Sequence, residues 1–233
     1  MPDGIRERLD RVRKRIEQAA ERANRDPSEI TLIAVSKTFD VATVQRAVDA
    51  GVTDLGENRV QEAEAKTGHV VGDNLRWHLI GHLQTNKART AVSIFDVIHT
   101  VDSVKLAERL DSVAAADARR PRVLVQVSLE SEATKTGADE DELPAIVERL
   151  DRAVNLDLIG LMTLPPLFDS PEQTRPFFRR LREILEAVNR ARAPERRLKH
   201  LSMGMSNDFE VAIEEGATMV RVGTAIFGSR ERH

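Results

Sequence analysis

An amine and a guanidinium lie close to strand ends at opposite ends of the chain. Lys37 follows an almost wholly apolar run, and Arg221 interrupts a second apolar run, MVRV. An amine that is partly desolvated and near a second cation loses proton affinity and becomes an imine-forming nucleophile. The alternatives are a solvated lysine at a strand end, and an Arg221 that forms a salt bridge with Glu57 or Asp208.

Two glycine-containing segments near the C-terminus could bind a phosphate. The segment SMGMS places hydroxyls at Ser202 and Ser206 around Gly204, and Gly223 and Thr224 repeat this arrangement. Glycine lets backbone N–H groups approach an anion closely, and each segment precedes a predicted helix. The alternative is a pair of ordinary glycine turns with helix caps. A lysine imine beside a phosphate site indicates pyridoxal phosphate.

Further polar side chains follow the second and third predicted strands. We expect Asn58 and His82 to line the pocket, and His78 to be a hydrogen-bonded core histidine. The spacing of the two histidines does not support a metal site. Met162 could pack on a flat ring or fill core space, and Lys135 is predicted to be a solvated lysine, with a position at the pocket mouth as the alternative.

Hydrophobic periodicity predicts the elements that position these residues. Ile5, Leu9, Val12 and Ile16 recur at helical spacing before Pro27, and the chain then alternates short apolar runs with longer amphipathic ones. The predicted strands are 31–36, 53–56, 75–80, 97–101, 123–128, 156–162, 198–202 and 218–222. The predicted helices are 40–50, 58–66, 84–92, 103–118, 139–151, 171–191 and 206–215, with Asp40, Ser103 and Asp139 as caps.

Eight βα repeats favour an α/β fold, a single TIM-type (β/α)8 barrel with an extra N-terminal helix. Ten residues follow Gly223, too few for a full eighth helix. We therefore expect the N-terminal helix to occupy that outer position. An open, doubly wound sheet is the alternative. The active site of such a barrel lies at the C-terminal ends of its strands, and phosphate commonly binds after strands seven and eight.

The amino-acid composition excludes several classes of protein. The chain has 233 residues, 41% hydrophobic and 31% charged, with a net charge of -3. This suits a single domain over residues 1–233 and argues against nucleic-acid binding. The absence of cysteine excludes disulfides and thiolate metal sites. No secretory signal or membrane span is visible, so we expect a cytoplasmic protein. We also expect it to be a monomer or weak dimer.

The motifs together resemble the YggS/PROSC family of pyridoxal phosphate homeostasis proteins. They are VSKT around Lys37, GENRVQE at 56–62, WHLIGHLQTNK at 77–87, GLMT at 160–163, LSMGMSND at 201–208 and RVGTAIFG at 221–228. The resemblance implies a barrel like the N-terminal domain of alanine racemases, with an aldimine on Lys37 and Arg221 facing the pyridine nitrogen. It also implies Asn58 near the ring, and a phosphate surrounded by Ser202, Gly204, Ser206, Gly223 and Thr224.

Two features favour a carrier over an enzyme. An arginine at the ring nitrogen disfavours ring protonation and weakens the electron sink. Racemases of similar fold use a tyrosine on the second substrate face, and this chain has no tyrosine. We therefore expect a protein that holds pyridoxal phosphate, limits its free aldehyde and delivers it to apo forms of dependent enzymes. The alternatives are a low-activity racemase or lyase, with proton transfer by His82, Lys87 or Lys135, and a lysine-imine aldolase acting on a sugar phosphate.

Overall fold

The eight predicted strands form one closed parallel barrel. A computed structural model describes residues 4–129 and 136–228, so Lys135 lies outside the described residues. Each strand pairs with the next, and β8 pairs with β1 to close the ring, which confirms the predicted barrel. The strands are β1 Thr31–Val35, β2 Asp54–Glu57, β3 Arg76–Leu79, β4 Val97–Val101, β5 Arg122–Gln126, β6 Asp157–Met162, β7 His200–Ser202 and β8 Met219–Val222.

Helices surround the barrel in chain order. Those in the described residues are α1 Ile5–Arg22, α2 Val41–Asp49, α3 Val60–Thr67, α4 Ala88–Ile94, α5 Val104–Ala116, α6 Leu143–Asp151, α7 Arg175–Arg190, α8 Phe209–Glu214 and α9 Thr224–Phe227. None of them has the length and apolar character needed to cross a membrane.

Two of the three predicted helix caps are confirmed. The Asp40 carboxylate accepts from the Thr43 N–H, and the Ser103 hydroxyl accepts from the Leu106 N–H. The prediction for Asp139 was wrong, because α6 begins at Leu143 with Pro144 in its first turn. Proline lacks an N–H and fits a first turn, where that group has no helical acceptor.

The first helix packs beside α8, α9 and α2, the place predicted for it. Its buried face includes Leu9, Val12, Ile16, Ala19 and Ala20. On one side Arg15 pairs with Glu210 of α8 at 2.7 Å, and on the other Arg13 donates to the Gly51 backbone oxygen at 2.7 Å. Helix α1 therefore supplies the outer cover of β8 and β1, which the four-residue α9 is too short to provide.

The buried apolar side chains form two clusters. The larger layer lies between barrel and helices, and a smaller cluster fills the barrel interior with Ile33, Val97, Leu124, Met162 and Met219. Side chains alternate across a strand, so β1 sends Ile33 and Val35 inward and Ala34 outward. The inner cluster forms the floor below the C-terminal mouth of the barrel.

Candidate functional site

Lys37 lies just beyond β1, on the side of the chain that faces the barrel mouth. Ile33 and Val35 precede it on the inward face of β1, and Lys37 itself is half-buried. Thr38 follows with φ of 70°, a left-handed conformation that is costly for a β-branched residue. Its N–H donates to Glu62 Oε2 at 3.0 Å, which helps to hold the turn after Lys37.

A buried ion pair supports the residue before Lys37. Glu57 Oε1 accepts from Lys66 Nζ at 2.7 Å and from the Ser36 hydroxyl at 2.6 Å, and Lys66 also donates to the Ser36 backbone oxygen. Burial raises the pKa of Glu57, although the hydrogen bonds from Lys66 and Ser36 act against this. Glu57 is thus engaged with Lys66 and not with Arg221.

Arg221 points into the barrel and is 3% exposed. Its Nη1 donates to Ser202 Oγ at 2.6 Å, and its Nη2 donates to the Thr163 backbone oxygen at 2.9 Å. Burial lowers the pKa of Arg221 to about 10, and the charge of Asp208 acts in the opposite direction. Within residues 4–129 and 136–228 no carboxylate pairs with Arg221, so the predicted alternative of a salt bridge to Glu57 or Asp208 is wrong.

The loops after β7 and β8 meet at the mouth of the barrel. The Gly223 N–H donates to Ser206 Oγ at 3.2 Å and joins the two loops. Gly204 has φ of 91°, and a Cβ there would lie 2.6 Å from the Ala212 Cβ. A Cβ on Gly223 would meet the Val35 Cβ at 3.3 Å. Both glycines therefore allow an approach of backbone segments that a side chain would obstruct.

These loops fit a phosphate group. In the described parts of the chain, no hydrogen bond uses the backbone N–H groups of Ser206, Asn207, Thr224 or Ala225. Backbone donors without an acceptor in the protein are available to phosphate oxygens. Arg221 lies in the strand between them, with a side chain directed below the loops.

The other predicted site residues surround the mouth at different depths. His82 is exposed, and its Nδ1 lies 3.2 Å from Asp102 Oδ2. Asn58 packs closely on Gly81, where a Cβ would lie 2.2 Å from the Asn58 backbone oxygen. Met162 is fully buried in the inner cluster, so its contact with a bound ring stays a prediction.

Sequence reasoning missed a polar chain inside the barrel. Asp54 Oδ1 lies 2.9 Å from His78 Nε2, His78 Nδ1 lies 2.9 Å from His99 Nε2, and His99 Nδ1 lies 2.9 Å from Ser202 Oγ. This confirms His78 as a hydrogen-bonded core histidine. The available signal was a polar residue inside apolar runs, such as His99 in VIHTV. No group of three or more metal-ligating side chains occurs among the residues described.

The closed barrel, with an amine after its first strand and backbone N–H groups available in the loops after its last two, defines a protein of the alanine racemase N-terminal class. The family model for "Alanine racemase, N-terminal domain" matches residues 8–231. The alanine racemase of Clostridium difficile 630 shares the fold at TM-score 0.71 and 17% identity; the match covers 99% of this chain and 58% of that one.

The chain belongs to the family of pyridoxal phosphate homeostasis proteins. A protein of that name from Escherichia coli K12 is 42% identical over 236 residues, covering 97% of each chain. The Aquifex aeolicus protein of the same name is 41% identical over 225 residues, covering 97% of this chain and 98% of that one. PipY of Synechococcus elongatus, solved with pyridoxal phosphate bound, is 42% identical at TM-score 0.83, covering 96% of this chain and all of PipY.

Proposed function

We propose that this protein binds pyridoxal 5'-phosphate reversibly on Lys37 and takes part in its homeostasis, by storing it, limiting its free aldehyde and delivering it to apoenzymes. The observation that carries the proposal is the joined pair of loops after β7 and β8, with backbone N–H donors that have no acceptor in the described chain. The relative PipY was solved with pyridoxal phosphate bound, which supports the same ligand here.

Each part of the cofactor has a suitable partner. When bound, pyridoxal phosphate supplies an aldehyde and an electron-accepting ring. Lys37 Nζ provides the amine for the aldehyde, and Arg221 provides a donor for the ring nitrogen. Ser206, Gly204, Gly223 and Thr224 surround the phosphate in this proposal. Asn58, His82 and Met162 lie around the ring, and Ser202 holds Arg221 from below.

Retention without strong catalysis follows from Arg221. The guanidinium keeps its proton at neutral pH, because its pKa stays at about 10 even in this buried position. A group that donates to the ring nitrogen leaves that nitrogen unprotonated, and an unprotonated ring stabilises carbanions weakly. We propose that the chain works as one barrel domain in the cytoplasm, as a monomer or weak dimer.

Visible absorbance and covalent trapping test the binding site. Pyridoxal phosphate is added to the protein and to Lys37→Ala, and each sample is dialysed, reduced with borohydride and digested for mass spectrometry. We expect a visible band and a reduced adduct on Lys37 in the parent, and neither in the variant. Lys105→Ala is the matched control, since Lys105 is an exposed helical lysine. A band that persists in Lys37→Ala with an adduct elsewhere would refute the site.

Transfer and exchange experiments separate carrier from enzyme. Delivery predicts that the loaded protein activates an apoenzyme faster than the cofactor dissociates spontaneously; equal rates would exclude it. A racemase or lyase predicts Lys37-dependent exchange of the α-proton when amino acids are incubated in heavy water. We expect no such exchange, and its detection would replace the carrier proposal with the enzyme.

A further inference from the structure

Four side chains cross the barrel interior and end at Arg221. In order they are Asp54 on β2, His78 on β3, His99 on β4 and Ser202 on β7, and each contact between neighbours is 2.9 Å. All four are buried. Arg221 Nη1 then donates to the Ser202 oxygen at 2.6 Å. The chain links the N-terminal part of the barrel to the arginine below the candidate phosphate loops.

The direction of every hydrogen bond can be derived from the two ends. Arg221 has donors and no acceptor, so Ser202 Oγ must accept from it. At the other end, burial alone would raise the pKa of Asp54, but hydrogen bonds from His78 and Arg76 outweigh it and lower that pKa to about 2. The carboxylate is therefore an acceptor, and His78 must present Nε2–H to it.

The hydrogen bond to Asp54 also determines which nitrogen of each imidazole carries the proton. Burial lowers the pKa of His78, and burial together with the charge of Arg221 lowers the pKa of His99 well below its usual value. Both rings are therefore neutral, with one donor and one acceptor each. Because His78 Nε2 donates, its Nδ1 accepts from His99 Nε2–H. His99 Nδ1 then accepts from the Ser202 hydroxyl.

We propose that Asp54, His78 and His99 are positioning residues for Arg221. All their hydrogen bonds run in one direction, with both imidazoles protonated on Nε2. The Ser202 hydroxyl therefore donates its proton to His99, and the Ser202 oxygen accepts from the guanidinium. Ser202 is thereby an anchor for Arg221 and no donor to a phosphate. Arg221 is held by two acceptors, Ser202 Oγ and the Thr163 backbone oxygen, and its orientation is set from inside the barrel.

Histidine tautomers test the chain directly in the full-length, cofactor-free protein. Long-range proton–nitrogen NMR of 15N-histidine-labelled protein distinguishes a protonated Nε2 from a protonated Nδ1. We expect both His78 and His99 to show Nε2–H and an unprotonated Nδ1. A protonated Nδ1 on either ring, whether as the other neutral tautomer or as an imidazolium, would overturn the inference.

The substitution Asp54→Asn provides a second, directional test. Arg76 Nη2 and the Thr53 hydroxyl both donate to Asp54 Oδ2, whereas Arg76 Nε lies 2.8 Å from Oδ1 but makes no hydrogen bond in the described residues. The amide oxygen should therefore take the Oδ2 position, with the amide nitrogen facing His78 Nε2. His78 must then accept at Nε2 and carry its proton on Nδ1, and His99 must follow. We expect both tautomers to reverse, although Asp54 does not contact His99. Folded protein with unchanged tautomers would overturn the chain.

The matched control is Asp102→Asn, the same change at another aspartate that faces a histidine, His82. It should leave the tautomers of His78 and His99 as in the parent. If Asp54→Asn does not fold, the tautomers of the parent protein alone decide the inference.

The consequence for the cofactor is the one step that rests on the proposed function. His99→Leu removes the acceptor of the Ser202 proton, and we expect about tenfold weaker binding of pyridoxal phosphate, the effect of about one lost hydrogen bond. His200→Leu is the control, since His200 contacts Thr218 and makes no hydrogen bond with Asp54, His78, His99 or Ser202 in the described residues. His99→Asn, whose amide oxygen can replace Nδ1, should restore most of the affinity. If His99→Leu and the parent bind pyridoxal phosphate with equal affinity, the positioning role is overturned. If the parent protein binds no cofactor, the proposed function is refuted, but the tautomer test still decides the inference.

Discussion

Lys66 and Glu57 form an ion pair with 2.7 Å between Nζ and Oε1, and both side chains are almost fully buried. Lys66 also donates to the backbone oxygen of Ser36, the residue before Lys37. One ammonium group thus connects α3, the end of β2 and the chain that leads to Lys37. The pair adds a structural constraint beneath Lys37 that no motif around that residue reveals.

Removal of one partner of this pair should be costly. Lys66→Met leaves Glu57 buried and unpaired, and we expect the free energy of unfolding to fall by about 3–5 kcal/mol. Urea denaturation measures it. Lys105→Met, at an exposed position, should change stability by less than about 0.5 kcal/mol. Similar values for the two variants would show that the buried pair contributes little.

The contact between β6 and β7 predicts that Gly160 cannot be replaced by alanine. A Cβ there would lie 1.9 Å from the His200 backbone oxygen, so the strands must move apart. We expect Gly160→Ala to lose about 3 kcal/mol of stability. Gly68→Ala is the control, because a Cβ at Gly68 meets nothing within 4 Å. Equal melting temperatures for the two variants would contradict this packing.

Gly204 tests the loop after β7 separately from general stability. Its φ of 91° and the nearby Ala212 Cβ mean that Gly204→Ala must displace the loop, and we expect at least about tenfold weaker cofactor binding by isothermal titration. Gly216 has φ of 103° and a nearest contact of 3.5 Å. Gly216→Ala should cost about 1 kcal/mol of stability and leave affinity unchanged. Loss of affinity in both variants would indicate a general effect of strain.

The buried Asp54 predicts a pH-dependent stability. Its folded pKa of about 2 lies below the usual value near 3.9, so its contribution of about 2 kcal/mol is present above about pH 4 and lost as the pH falls toward 2. The pKa values of His78 and His99 are also lowered, so stability should already decrease as the pH falls below about 6.5.

Denaturant unfolding from pH 7 to 2 measures these effects. The stability difference between the parent and Asp54→Asn should be largest near neutral pH and become smaller between pH 4 and 2. A difference that does not change with pH would show that the Asp54 carboxylate is not stabilised by its contacts.

The sequence predicted the barrel and the positions of Lys37 and Arg221 because these depend on local patterns: apolar runs, strand alternation and glycine turns. It did not predict the partners of Arg221. His99 and Ser202 are 103 positions apart, and only barrel closure brings them together. Glu57 was considered a partner for Arg221, but Lys66 is nine residues away and reaches Glu57 from α3. The charge of a buried residue such as Arg221 or Glu57 indicates that it needs a partner. The direction of its side chain in the fold decides which partner it contacts.

The position of α1 also has a consequence for the order of folding. Its apolar face is covered by α8 and α9, elements that lie about 200 positions further along the chain, and β1 and β8 pair beside it. The part of α1 that contacts α8 and α9 can therefore be covered only after those two helices have been synthesised. Contacts of such large sequence separation slow folding, so this part of the apolar surface of α1 stays unprotected until α8 and α9 are in place.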